Sequence, residues 1–290
     1  QWIVKELAKE FDTEKVNEIC ENSNLKPKIT IRVNNLKTTK SELIKKLQSK
    51  KIEVEEGILE DFLYLKNVKN ITKLEEYKQG LFTMQDESAG LTALVLNPKE
   101  GENILDCCSA PGGKTTYIAE IMNNNGNIIA WDLHKKRLEK VKENSKRLGI
   151  NIIKTEVNDA TVLKEEYIEK FDKILIDAPC LGLGVIKRKP DIKWQRKFED
   201  IIEISKIQEK ILNICSKYLK KGGILVYSTC SIIQAENDII IQNFINDSIF
   251  DLEEINNINI SKIENKIERK GVKKLYPNEK VDGFFIAKLI

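Results

Sequence analysis

Residues 103–115, NILDCCSAPGGKT, take a short apolar strand into a glycine turn and directly into a helical pattern. A strand, a glycine turn and a helix N-terminus make a nucleotide-type binding site, because glycine lets a ligand approach the backbone and the free amides point at it. A P-loop would need glycine six positions before Lys114, where Cys108 stands, and GxGxxG is absent because only Gly112 and Gly113 are present. S-adenosylmethionine remains, since its amino-acid end and ribose need fewer phosphate-directed amides.

From Asn103 onward strands alternate with helices. NILDCC is followed by a helix from about Lys114, NIIAWD by a helix at 133–148, and NIIKTEV by FDKILIDAP, a long loop and a helix over about 200–220. GGILVYSTC and a helix from about 235 complete the rhythm, which predicts a mostly parallel, Rossmann-like sheet covered on both faces. KKLYP and GFFIAKLI are read as a closing antiparallel hairpin, and 252–270 as loop and poor helix.

Ahead of this domain, residues 1–25 have helical spacing, 29–35 read as a strand, 39–50 as a helix and 52–65 as one or two strands. The expected organisation is a helical segment (1–25), a small α+β domain (26–78) and a catalytic domain (79–290). The start at Gln1 rather than Met suggests a missing N-terminal segment.

Strand ends carry the chemistry. Asp132 lies 19 residues after Gly113, where an acid either hydrogen-bonds ribose hydroxyls or caps the next helix. Asp159 follows the third strand and is placed to reach an adenine edge. Asp177-Ala178-Pro179-Cys180 ends the fourth strand and Ser228-Thr229-Cys230-Ser231 the fifth, so two thiols share the sheet edge at which open α/β sheets bind ligands. Cys20, Cys107 and Cys215 are read as packing.

Two thiols beside such a turn suit methylation of cytosine carbon 5. That carbon is a poor nucleophile until a thiolate adds to carbon 6, and a carboxyl group near ring nitrogen 3 steadies the adduct. Asp177 supplies the carboxyl, and Lys114 a charge able to lower a thiol pKa or hold the base carbonyl.

Composition narrows the partners. The 290 residues are 41% hydrophobic, and 48 Lys and Arg against 45 Asp and Glu leave a net charge of +3, so nucleic-acid contact must be a local patch. Lys45-Lys46 and the cluster from Lys135 to Arg147 read as solvated helix faces. The loop from Lys187 to Lys197 is the candidate for phosphate contact. Six cysteines without CxxC spacing and a single histidine, His134, offer no metal set and fit a reducing cytosol. No stretch reads as a membrane span or signal peptide, so a cytoplasmic protein, monomeric and without membrane or metal, is expected.

Together these motifs resemble the RNA 5-methylcytosine methyltransferases of the Nol1/Nop2/Sun family. The resemblance runs through Arg32-Val33-Asn34, Gln85-Asp86-Glu87-Ser88, the 106–115 turn, Asp132, Asp159, the two cysteine motifs and Asp282-Gly283-Phe284-Phe285. Residues 184–194, GVIKRKPDIKW, look like the bacterial 16S rRNA branch called RsmB or Sun. The resemblance implies that Cys108, Ser109, Ala110, Pro111, Gly112, Gly113, Lys114, Asp132, Asp159 and Asp177 contact S-adenosylmethionine or its surroundings. It implies Cys230 as nucleophile, Cys180 as the thiol that helps break down the adduct, and 16S rRNA as substrate. The small α+β domain would be the RNA-binding extension, with Arg32 a contact beside Lys187, Arg188, Lys189 and Lys193.

The helical NusB-like N-terminal domain of RsmB proteins is missing, and Leu181 replaces the family's usual small polar residue. A related enzyme acting on another RNA such as tRNA, a DNA methyltransferase using Cys180 as nucleophile, a nicotinamide oxidoreductase and a non-catalytic RNA-binding module are the competing readings. The DNA enzyme would need a large target-recognition region, and only some sixty residues follow Cys230.

Overall fold

The computed structural model describes residues 2–256, 258 and 260–290. Two short helices, α1 (Trp2–Leu7) and α2 (Thr13–Asn22), come first. They are followed by β1 (Ile29–Val33), α3 (Lys40–Ser49), β2 (Glu53–Glu56), β3 (Phe62–Lys66), α4 (Glu75–Lys78) and β4 (Phe82–Met84). α3 starts at a capping box between Thr39 and Glu42, as a Thr-x-x-Glu run should.

The small sheet runs β2-β3-β1-β4 and is antiparallel throughout. Its last strand, Phe82–Met84, lies beyond the boundary expected at residue 78, so the small unit closes with a strand the sequence reading gave to the larger one. β1 is covered on both faces. Ile31 and Val33 pack against Leu43, Leu47 and Phe82, while Arg32 is buried facing the larger domain.

The larger domain contains α5 (Glu87–Leu96), β5 (Asn103–Asp106), α6 (Gly113–Ile121), β6 (Asn127–Asp132), α7 (Lys135–Leu148), β7 (Ile153–Val157) and β8 (Phe171–Asp177). It continues through α8 (Ile192–Gln195), α9 (Asp200–Cys215), β9 (Leu219–Thr229), α10 (Asp238–Asn246), β10 (Lys266–Arg269), β11 (Val272–Leu275) and β12 (Phe284–Leu289). The sheet order is β10-β11-β12-β9-β8-β5-β6-β7, with β9 to β7 parallel and the other three antiparallel.

The chain order reverses between β5 and β8, which opens a crevice at their carboxyl ends. Cys180, Cys230, Asp177 and the glycine turn all lie there. α7 buries Leu138, Val141, Ser145 and Leu148 and leaves its lysines in solvent, as a 3.6-residue period dictates.

One expectation fails. Residues 266–269 form a strand rather than loop or poor helix, pairing with β11 across the turn at Gly271, φ +64°, so the closing hairpin becomes three strands. Its exposed residues, Ile267, Glu268 and Arg269, hid it, because an edge strand with little burial carries no apolar alternation. Among the described residues, no helix is long and apolar enough to cross a membrane, and no group of His, Cys, Asp and Glu is placed to hold a metal.

Candidate active site

The turn after β5 is pinned to its neighbours. Ser109 donates through N–H and Oγ to the Trp131 carbonyl at 2.8 and 2.9 Å, and Cys107 N–H donates to the Leu175 carbonyl. Ala110-Pro111 is cis. Gly112 has φ +98°, and a β-carbon there would lie 3.2 Å from Val141 Cα, so glycine is required both by conformation and by the approach of α7.

Asp106 is fully buried beneath the turn and accepts from Thr115 Oγ1 at 2.7 Å. Burial pushes its carboxyl up to about 7 against the opposing Thr115 hydrogen bond. Its other oxygen has no hydrogen-bond partner, nor does the buried amide nitrogen of Asn158 beyond β7. One unmet acceptor and one unmet donor are therefore buried at the ends of β5 and β7, on the edge at which open α/β sheets bind ligands.

Asp132 is buried and accepts from His134 N–H at 2.9 Å, a turn just ahead of α7, whose N-cap is His134. It also pairs with Arg137, whose guanidinium donates to the Ala110 carbonyl and so ties this acid to the turn. Asp159 accepts from Thr161 N–H and Oγ1, which hold its carboxyl below the ordinary range.

The second half of the site is built on β8 and β9. Lys114 Nζ lies 2.7 Å from Asp177 Oδ2, Ser228 Oγ donates to Asp177 Oδ1 at 3.0 Å, and the ammonium stands 5.0 Å from the Phe284 ring centroid. Burial works against the Lys114 charge, but Asp177 outweighs it and the ammonium is held more firmly than usual. Cys180 Sγ and Cys230 Sγ are 3.2 Å apart, both partly exposed.

The two thiols are pushed in opposite directions. The hydrogen bond from Cys180 lowers Cys230, and with help from the Lys114 charge it outweighs burial and Asp177. The same hydrogen bond, together with burial, raises Cys180 well above an ordinary thiol. Cys230 is thus the more readily ionised of the two thiols.

A family model described as 16S rRNA methyltransferase RsmB/F matches residues 93–290. The chain belongs to the RsmB/F family. A second model, an RsmF/B-like ferredoxin-like domain, matches residues 1–72. The probable ribosomal RNA small subunit methyltransferase B of Bacillus subtilis (strain 168) is 42% identical over 246 residues, which are 84% of this chain and 55% of that protein. The ribosomal RNA small subunit methyltransferase B of Enterobacter sp. (strain 638) is 36% identical over all of this chain and 66% of its own length. The chain therefore spans between half and two thirds of these relatives. NSun6 from Pyrococcus horikoshii, solved with SFG, superposes with a TM-score of 0.86 at 28% identity over 96% of this chain and 94% of that one.

S-adenosylmethionine is the cofactor of this RsmB/F fold, and the residues fit it. The unpartnered oxygen of Asp106 and the unpartnered amide of Asn158 are the kinds of group an amino-acid end and an adenine would engage.

Other expectations are corrected. Arg32 is fully buried and pairs with Glu120 Oε1 at 2.7 Å while donating to Gln85, the Gly113 carbonyl and Thr116. It welds the ferredoxin-like domain to α6 and cannot meet RNA, because a buried guanidinium needs these partners. Lys187 is likewise buried, donating to the Asn278 and Val281 carbonyls and pairing with Asp282. Arg188 bridges Asp86 and Asp282, so it fastens the loop after Cys180 rather than presenting charge. Lys189 is exposed and Lys193 half-buried, and these two remain available to RNA. Leu181 is buried in an apolar cluster with Leu183 and Ile232.

Glu236, which the sequence does not single out, lies behind the two cysteines. This fully buried carboxylate accepts from Leu181 N–H at 2.9 Å, from Gln208 and from Ser231 Oγ. It thereby ties together the residues that follow each cysteine. A run of Gln, Glu and Asn at 234–237, so soon after Cys230, was the available signal, but only the fold reveals its burial.

Proposed function

We propose that the protein transfers a methyl group from S-adenosylmethionine to carbon 5 of a cytosine in 16S rRNA, through a covalent bond between Cys230 and carbon 6. The observation that carries this reading is the 3.2 Å thiol pair whose hydrogen bond depresses Cys230 and raises Cys180. The names of the relatives support 16S rRNA as the substrate.

Cys230 Sγ adds to carbon 6, and the electron pair of the 5,6 double bond moves toward nitrogen 3 and the carbonyl. Asp177 and Lys114, 2.7 Å apart at the crevice mouth, are the groups to hold that edge of the ring. When bound, S-adenosylmethionine supplies an electrophilic methyl to the carbon 5 made nucleophilic by this addition.

Once Cys230 is bonded to carbon it no longer bears charge, and the partner that holds Cys180 protonated is gone. Cys180 then ionises more readily and takes the proton from carbon 5 as the bond between Cys230 and carbon 6 breaks, restoring the double bond and the Cys230 thiolate. The opposite assignment, with Cys180 as nucleophile as in a DNA enzyme, would start from the thiol that is harder to ionise.

The test uses unmodified 16S rRNA and methyl-labelled S-adenosylmethionine with wild type, Cys230→Ala and Cys180→Ala, scoring transfer and denaturant-resistant protein–RNA adducts. Loss of both signals in Cys230→Ala, with a trapped adduct in Cys180→Ala, is expected. An adduct formed by Cys230→Ala but not by Cys180→Ala would exchange the two roles.

A further inference from the structure

Trp194 is 77% exposed, the most exposed aromatic ring among the described residues, and it stands on the short helix α8 in the loop after Cys180. Tryptophan is highly buried on average, and this exposed ring becomes informative through the unpaired cations on the same loop. The helix that carries it packs close to the chemistry. A β-carbon at Gly182 would lie 3.0 Å from Ile192 Cδ1 and 4.0 Å from Cys230 Sγ, so Ile192, two residues before Trp194, is separated from the nucleophile by one glycine.

The surroundings are cationic and held in place. Lys193 Nζ is 5.8 Å from the Trp194 ring centroid, and Lys189, Arg196 and Lys197 are exposed without an ion pair among the described residues. The backbone is fixed by Trp2 Nε1, which donates to the Arg196 carbonyl, and by the edge contact of Trp2 with Phe198.

We propose that Trp194 is a stacking platform for an unpaired RNA base beside the target cytosine, with Lys189, Arg196 and Lys197 on the flanking phosphates. This rests on the reading of RNA as substrate. A cytosine must leave its stack before a thiolate can reach carbon 6, and an exposed flat ring on the helix that packs beside the nucleophile offers the displaced neighbour a new stacking surface. Unpaired cations around an aromatic face match a single strand, whose bases stack while its phosphates are neutralised.

The experiment measures binding of a short single-stranded oligoribonucleotide with one cytosine, and of copies in which each neighbour of that cytosine is abasic, alongside methylation of a 16S transcript. Trp194→Ala is expected to weaken binding about 5- to 150-fold, the range for loss of one stacked base, with Trp194→Phe restoring most of it. S-adenosylmethionine affinity should not change. On the RNA whose missing base is the stacked one, the Trp194→Ala penalty should vanish, which a merely structural role would not produce.

Wild-type RNA affinity and KM in Trp194→Ala would overturn the platform and leave the ring to a protein partner, with the methyl-transfer reading intact. A Trp194→Ala penalty equal on every abasic RNA would also overturn it. If wild type binds RNA through Trp194 yet transfers no methyl group, the platform stands and the proposed reaction fails.

Discussion

At the scale of single residues, the proposed reaction depends on making two chemically identical thiols unlike. Neither desolvation nor the Lys114 charge alone separates them. The hydrogen bond between them does, because it has a donor and an acceptor. A depressed Cys230 is a thiolate at lower pH, so its alkylation by iodoacetamide, followed at that residue by mass spectrometry, should reach its plateau below the pH of an ordinary thiol. Cys180→Ala removes the largest cause of the depression and should move the midpoint to higher pH, while Cys180→Ser, which keeps a donor, should leave it low. An unchanged midpoint in Cys180→Ala would assign the depression to Lys114.

At the scale of elements, α1 and α2 support the catalytic loops from behind. Leu7, Val16 and Ile19 share one apolar cluster with Leu181, Leu183, Ile186 and Ile232, so the N-terminal helices pack directly on the segments that follow Cys180 and Cys230. Ile19 is almost fully buried, and Ile19→Ala should cost about 2–5 kcal/mol of stability in denaturant titration. Its loosened cluster should also open the 182–192 loop to limited proteolysis at lower denaturant than the rest of the chain. Cleavage first in the small sheet would show that the helices do not brace that loop. The helical character of 1–25 was legible from its spacing, but its position against the cysteine loops was not, because apolar periodicity marks the face that is buried without naming what covers it.

At the scale of the whole molecule, the two domains are joined by charge as well as by packing. Arg32, from the middle of β1, reaches Glu120, Thr116 and the Gly113 carbonyl on α6, and its guanidinium stacks 4.4 Å from the Tyr117 ring centroid. Removing one partner of such a pair leaves a buried charge, so Arg32→Ala should lower stability by about 3–5 kcal/mol and depress Tm sharply. Below the new Tm, the salt dependence of RNA binding should be that of the wild type, since no phosphate contact has been lost. A shallower salt slope would return Arg32 to the RNA-binding surface. Arg147 adds a second tie, donating to the Tyr77 and Phe82 carbonyls from the end of α7.

The sequence by itself determined the local alphabet of this protein: the alternation that makes a parallel sheet, the glycine turn that must lie at a strand end, and the two cysteines at the same sheet edge. Each follows from short-range rules, in which period, turn chemistry and strand polarity are written in consecutive residues. Only the tertiary structure decided which charges are free. Arg32, Lys187 and Arg188 look in sequence like Lys189 and Lys193, yet the first three are committed to Glu120, Asp282 and Asp86. Partners 88, 95 and 102 positions away cannot be read from spacing. The same holds for the Cys180–Cys230 contact and for Glu236 behind it, because a pKa is set by burial and by neighbours that the chain brings together only when it folds.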